Sequence, residues 1–248
     1  MTATADTTQT GYCAQLLALL QLIARAAPGS LLLSLGRRDR AQLRLQAGER
    51  PILVLPTCVL AALESDQHIG VAPALGDDVV GEPISTAMIF ARFRPSIVPS
   101  DDRGGYDVVG ADAAKIRDAL ASLTLAPACL VNALTEVVAF YPLRDPLRDM
   151  PRARALQRRL AERLGAVTQP EIEMAPPPQV YGYPSPPSRK LPADDPGVFV
   201  PIAGKVRGAG VFAPWIMITM LNAERRYTLD EIDAALASAA TKKGPTKS

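Results

Sequence analysis

An apolar run, Val137 to Tyr141, leads through Pro142-Leu143-Arg144-Asp145-Pro146 into an amphipathic segment that stops at Gly165. No stretch constrains the architecture more. A strand that passes through a turn into a helix requires a mixed fold, in which strand and helix bury their apolar sides against each other. The helix limits are marked by residue type. Asp149 suits an N-cap, Pro151 a first turn, and Gly165 the C′ position, where a left-handed backbone suits glycine. Ala153, Leu156, Leu160 and Leu164 recur at helical spacing and define the inward face. Arg152, Arg154, Arg158, Arg159 and Arg163 occupy the remainder, with only Glu162 among them. Five arginines so placed are either a solvated surface or a face that meets phosphate.

The flanking chain repeats the mixture. Residues 1–11 are polar and Thr-rich and read as a disordered N-terminus. Residues 12–26 read as a helix with Leu16, Leu17, Leu20 and Ile23 on one side, broken by Pro28-Gly29. Ser30–Leu35 and Ala41–Gln46 read as strands around a basic turn. Ile52–Leu63 is an apolar run, Ile69–Ala72 a short buried strand, and Gly76–Glu82 a polar loop. Ile84–Phe93 is a core strand. Pro95–Gly110 reads as a long loop, and Asp112 caps a helix through Leu123 with Ile116 and Leu120 inward. Cys129–Val131 pairs across a turn with Val137–Tyr141. Residues 167–197 hold nine prolines, which exclude a long helix or central strand, so the segment is a linker or a loop fixed across a cleft. Val198–Ile202 and Trp215–Leu221 are strand-like, Thr228 with Glu231 opens a last helix through a capping box, and 241–248 reads as a disordered tail. The sum is an α+β domain over residues 12–240, with a mixed, largely antiparallel sheet flanked by helices.

Composition narrows the chemistry. With 27 basic and 25 acidic residues in 248, net charge does not announce a nucleic-acid binder. Cys13, Cys58 and Cys129 form no CxxC pair and read as reduced thiols in a cytoplasmic protein. A single histidine, His68, disfavours zinc sites and histidine-based catalysis. Asp101, Asp102 and Asp107 fall in a Gly-rich loop without calcium-loop spacing, so turn chemistry accounts for them. No apolar stretch reaches the length of a membrane span.

Several stretches carry a family resemblance. Asp66–Leu75 reads DQHIGVAPAL, Leu125–Leu143 reads LAPACLVNALTEVVAFYPL, Val180–Lys190 reads VYGYPSPPSRK, and Glu224–Glu231 reads ERRYTLDE. With the helix at 152–165 between them, they resemble in order the primase-polymerase domain of the archaeo-eukaryotic primase superfamily, as found in replication proteins of plasmids, phages and integrated elements. The resemblance runs from about Leu16 to Ala239 and implies a primase-polymerase-like fold.

It also implies what should be present and is not. The family carries an Asp-x-Asp on one strand to hold metal ions. This chain has Arg92-Phe93-Arg94 in that place, and arginine stays protonated and binds no divalent ion. Val138 stands where the family has a histidine, and the neighbouring glycine turn is absent. In the loop that resembles 180–190, Gly182, Ser185 and Ser188 replace the arginine, glycine and asparagine, and only Pro184 and Lys190 remain. Val200–Arg207 is an alternative match for that loop and fares no better. The reading is a catalytically inactive relative with no cofactor and no metal, acting as a nucleic-acid-binding or accessory subunit in replication of a mobile element. Its expected partners are single-stranded DNA or a primer-template, and an active primase or replicative helicase. Arg92, Arg94, Arg189 and Lys190 are the candidate phosphate contacts, unless Arg92 and Arg94 pair instead with nearby acids such as Glu136. Two alternatives stand beside it: an interaction module without nucleic-acid binding, and an active enzyme with acids relocated to Asp101, Asp102 or Asp107.

Overall fold

The computed structural model describes residues 3–26, 29–35, 39–45, 69–77, 82–93, 97–99, 106–108, 113–133, 136–166, 172–173, 190–192, 194–203 and 217–238. Its elements in chain order are α1 (Ala3–Ala24), β1 (Gly29–Leu35), β2 (Asp39–Leu45), β3 (Ile69–Gly76), β4 (Pro83–Phe93), β5 (Ile97–Pro99), β6 (Tyr106–Val108), α2 (Ala113–Ala121), β7 (Cys129–Ala133), β8 (Glu136–Leu147), α3 (Met150–Leu164), β9 (Ile172–Glu173), β10 (Lys190–Leu191), β11 (Val200–Ala203), β12 (Met217–Met220) and α4 (Leu229–Ser238).

The main sheet runs β12-β7-β8-β4-β3-β1-β2, with β11 added on β3, and every strand pairing in it is antiparallel. Strand alternation gives it two buried faces. Met88 and Phe90 of β4 and Val138 and Phe140 of β8 join Leu16, Leu19, Leu20 and Ile23 of α1 on one side. Ile89, Ala91 and Phe93, with Ala139, Tyr141 and Leu143, meet α2, α3 and α4 on the other. Both faces are therefore dry over Ser85–Phe93 of β4 and Val138–Leu143 of β8, which is why these stretches read as nearly continuous apolar runs.

The helix at the centre forms as its sequence requires. Asp149 accepts a hydrogen bond from the Arg152 backbone N–H at 3.1 Å, and Gly165 adopts φ 62°. Ala153, Leu156, Leu160 and Leu164 are buried.

Four expectations are corrected. The Thr-rich N-terminus is helical from Ala3, since α1 contains no proline to stop it. The loop at 95–110 contains a small hairpin, β5 with β6. The short strand at 69–72 continues through Pro73 to Gly76, because the register with β1 shifts around it and no ladder bond is asked of the proline. The turn at 142–146 is extended backbone, so β8 runs to Leu147. The register with β4 jumps between Met88↔Pro142 and Thr86↔Leu147, a bulge in which β8 advances five residues while β4 advances two. The bulge finds its own partner: Arg144 N–H donates to Tyr227 O, and Tyr227 N–H donates to Pro142 O. Residues 52–63, the greater part of 167–197 and the tail lie outside the described residues.

Candidate nucleic-acid interface

The site is set by a divergence in the sheet. β3 pairs with β4 only through Ala74↔Thr86, Leu75↔Ser85 and Gly76↔Pro83. Toward its start β3 pairs with β11 instead, through Val71↔Val200 and Pro201↔Gly70. The second half of β4 thus loses its strand neighbour on that side, and its backbone groups need other partners. Thr86 Oγ1 accepts from Met88 N–H at 3.2 Å and donates to Met88 O at 2.7 Å. Gln157, buried on α3, reaches the next open position. Its Oε1 accepts from Phe90 N–H at 2.9 Å and its Nε2 donates to Phe90 O. One side-chain amide thus supplies the donor and the acceptor that a neighbouring strand residue would have supplied.

Two residues further, at the end of β4, stands Arg92. It is opposite Val138 on β8, and Val138 is opposite Val131 on β7. Arg92 is 5% exposed. Its Nε donates to Glu136 Oε2 at 2.5 Å and its Nη2 to Glu136 Oε1 at 2.8 Å, a two-pronged guanidinium–carboxylate pair. Nη2 also lies 3.5 Å from Phe199 O, just before β11, so Arg92 ties β4 to the strand that has displaced it from β3. Its Nη1 is buried with no hydrogen-bond partner. Of the two outcomes open in the sequence, phosphate contact or pairing with an acid, Arg92 makes the pair with Glu136.

The other candidates fall elsewhere. Arg94 and Arg189 lie outside the described residues, as do His68, Asp101 and Asp102. Lys190 is in β10, its backbone opposite Glu173 of β9. Asp107 is in β6, which pairs with β5 in a two-stranded sheet and not with the main sheet. Cys129 is buried, and burial pushes its thiol up to about 12, so it stays protonated and unreactive.

The arginine face of α3 is largely committed within the protein. Arg154 Nε meets Asp195 Oδ2 at 2.8 Å, Arg158 Nε lies 3.9 Å from Asp194 Oδ2, and Arg159 Nη1 meets Asp233 Oδ1 at 2.5 Å. Asp194 and Asp195 are buried in the turn before β11. Burial raises the Asp194 carboxyl above its ordinary range, and Arg158 opposes that shift. Sequence reasoning missed these acids, because they follow a proline-rich stretch and look like ordinary turn residues. It missed Gln157 as well, although a signal was present: a polar residue between Leu156 and Leu160 at an inward position of the helix.

No protein-family model matches the chain, and no curated protein matches it. Among solved structures it is similar to the AEP domain of the primase-polymerase of cyanophage S-2L. The TM-score is 0.53 and the identity 16%, over 88% of this chain and 95% of that one. It is also similar to the catalytic domain of primase RepB′ in complex with initiator DNA, with a TM-score of 0.49 and 12% identity over 93% of this chain and 99% of that one. The likeness to the cyanophage domain confirms the expected architecture: the chain has a primase-polymerase-like fold of helices on an antiparallel sheet.

Proposed function

We propose that this primase-polymerase-like domain has given up nucleotidyl transfer and serves DNA replication of a mobile element as a nucleic-acid-binding or accessory subunit. The observation that carries the reading is the Arg92–Glu136 pair. On the sequence resemblance, Arg92 and Val138 occupy the positions of the family's first metal-binding acid and its histidine. The two residues are directly opposite in the sheet. A guanidinium at that place brings its own positive charge and its own carboxylate, and a divalent ion would be repelled by the first and denied the second. In this reading Arg92 is a positioning residue that fixes the end of β4, while Arg94, Arg189 and Lys190 meet phosphates.

Fluorescence anisotropy of a labelled single-stranded oligonucleotide at two salt concentrations tests the binding. Wild type should bind and weaken with salt. An Arg94→Ala/Arg189→Ala/Lys190→Ala variant should flatten the salt slope by about 2, at ~0.7 for each phosphate of a single strand that is no longer neutralised. Absence of binding at low salt refutes it.

A second reading, an interaction module without nucleic-acid binding, is favoured by the internal ion pairs that occupy Arg92, Arg154, Arg158 and Arg159. A pull-down before and after nuclease treatment separates the two. A protein partner kept after nuclease supports the module, and one lost with the nucleic acid supports the binding subunit.

A further inference from the structure

The main sheet ends in two strands of different character. β2, at one end, carries Asp39, Arg40 and Arg44. β12, at the other, reads Met217-Ile218-Thr219-Met220, with neither a charge nor a proline. Charges and prolines on an edge strand keep other strands from adding to it, and β12 has none of these guards. Its register with β7 sets Met217 opposite Asn132 and Thr219 opposite Leu130, and one step further Leu221 N–H donates to Ala128 O at 2.9 Å. Bonding direction alternates along a strand, so the backbone groups of Met217, Thr219 and Leu221 face β7. Those of Ile218 and Met220 face the other way, where no strand stands among the described residues. The side chains alternate too. Ile218 is buried in the core that α1 covers. On the opposite face Met217 is 61% and Leu221 50% exposed, with Thr219 exposed between them. Met217 and Leu221 are the two most exposed large apolar side chains among the described residues.

An edge with open donors and acceptors is completed by another strand, and the sequence of β12 fits itself. Set β12 antiparallel to β12 of a second copy, with a two-fold axis at Thr219. Ile218 then stands opposite Met220 of the second copy, so each open N–H and C=O meets its complement. Met217 stands opposite Leu221 of the second copy, so each exposed apolar side chain is covered by another. A slip of one residue loses both matches, because opposed residues then address different sides. Moving the axis to Ile218 or Met220 keeps the bonding but sets Met217 or Leu221 against the Thr219 hydroxyl. Charge points to the same occupant. A two-fold axis brings each nearby residue close to its own copy, where like charges repel. In a chain with 27 basic and 25 acidic residues, none is charged from Gly208 to Ala223, nor from Thr7 to Ala24 of the helix that packs on β12.

We propose that β12 pairs antiparallel with β12 of a second copy about a two-fold axis at Thr219, so that the main sheet runs on through a homodimer. The interface uses no residue of the cleft and does not depend on the function proposed above.

The test is sedimentation velocity of the full chain over a concentration series, for wild type, Thr219→Lys, Thr219→Glu and an equimolar mixture of the two variants. Thr219 is exposed, and circular dichroism checks that each variant is folded. Wild type should dimerise as concentration rises. Each variant alone should stay monomeric over the same range, since like charges then oppose each other across the axis. The mixture should recover the dimer, because lysine then faces glutamate. Met217→Lys/Leu221→Lys, at the most exposed positions of the strand, should be monomeric as well. A wild type that stays monomeric throughout overturns the proposal. So does a dimer kept by the single Thr219 variants and by the double lysine variant, which places the contact elsewhere. A mixture that stays monomeric refutes the axis at Thr219.

Discussion

Replacing Gln157 by leucine removes the amide that closes the open edge of β4 while keeping the side chain's approximate volume. The Phe90 N–H and C=O lose their partners together, in a place from which water is excluded: Phe90 and Gln157 are both 0% exposed. Each orphaned buried group costs about 1–3 kcal/mol, so the pair costs ~2–6 kcal/mol. That is a large share of the roughly 5–15 kcal/mol that holds a domain folded. In a chain of this size it lowers the thermal midpoint by about 2–4 °C per kcal/mol. Urea unfolding, followed by circular dichroism, reads the difference directly. Gln157→Glu sharpens the test. A protonated glutamic acid keeps one acceptor and one donor and can meet both Phe90 groups. Ionised, it has no donor for Phe90 O and is buried as a charge, so its folded-state pKa is raised. The stability of that variant should therefore be highest in acid and fall as pH rises through the folded-state value. A Gln157→Leu variant within ~0.5 kcal/mol of wild type, the range of an uninvolved surface change, would refute the claim that Gln157 substitutes for a strand.

Tyr141 is buried and its hydroxyl has no partner, so Tyr141→Phe should be neutral or stabilise by about 1 kcal/mol in the same denaturation assay, with a loss of that size counting against it. Glu136→Gln and Arg92→Met should each destabilise by ~3–5 kcal/mol, and the double variant by clearly less than their sum, as a double-mutant cycle on a buried ion pair requires. Thr228→Ala should cost about 1 kcal/mol as a lost N-cap. The Glu231 carboxyl is held below its ordinary range by the Thr228 N–H and hydroxyl, so the contribution of this capping box is present at neutral pH and is lost as pH falls through that lowered value, readable in thermal melts across acid pH.

The sequence was most informative where local chemistry decides the structure. Asp149, Pro151 and Gly165 bound α3, and Thr228 with Glu231 opens α4 through reciprocal hydrogen bonds, because caps depend on residues within one turn. It misled where a distant partner decides. Pro142 and Pro146 read as a turn, yet Tyr227, far along the chain, supplies the backbone partner that keeps the segment extended. The exchange of β4 for β11 along β3 leaves no local trace, and neither does the role it gives Gln157. At the site, the choice of Glu136 as partner for Arg92 was open in the sequence and follows from strand register. Glu136 is two residues from Val138 on the same face of β8, and Arg92 is opposite Val138.

The central claim is that a guanidinium–carboxylate pair has taken the place of metal-dependent nucleotidyl transfer. The most direct measurement is nucleotide incorporation by the full chain on primed and unprimed single-stranded templates, with magnesium or manganese and with both ribo- and deoxyribonucleoside triphosphates. The account predicts no product under any of these conditions. Product that depends on the divalent ion, made by purified protein, would contradict it and place the catalytic acids elsewhere in the chain.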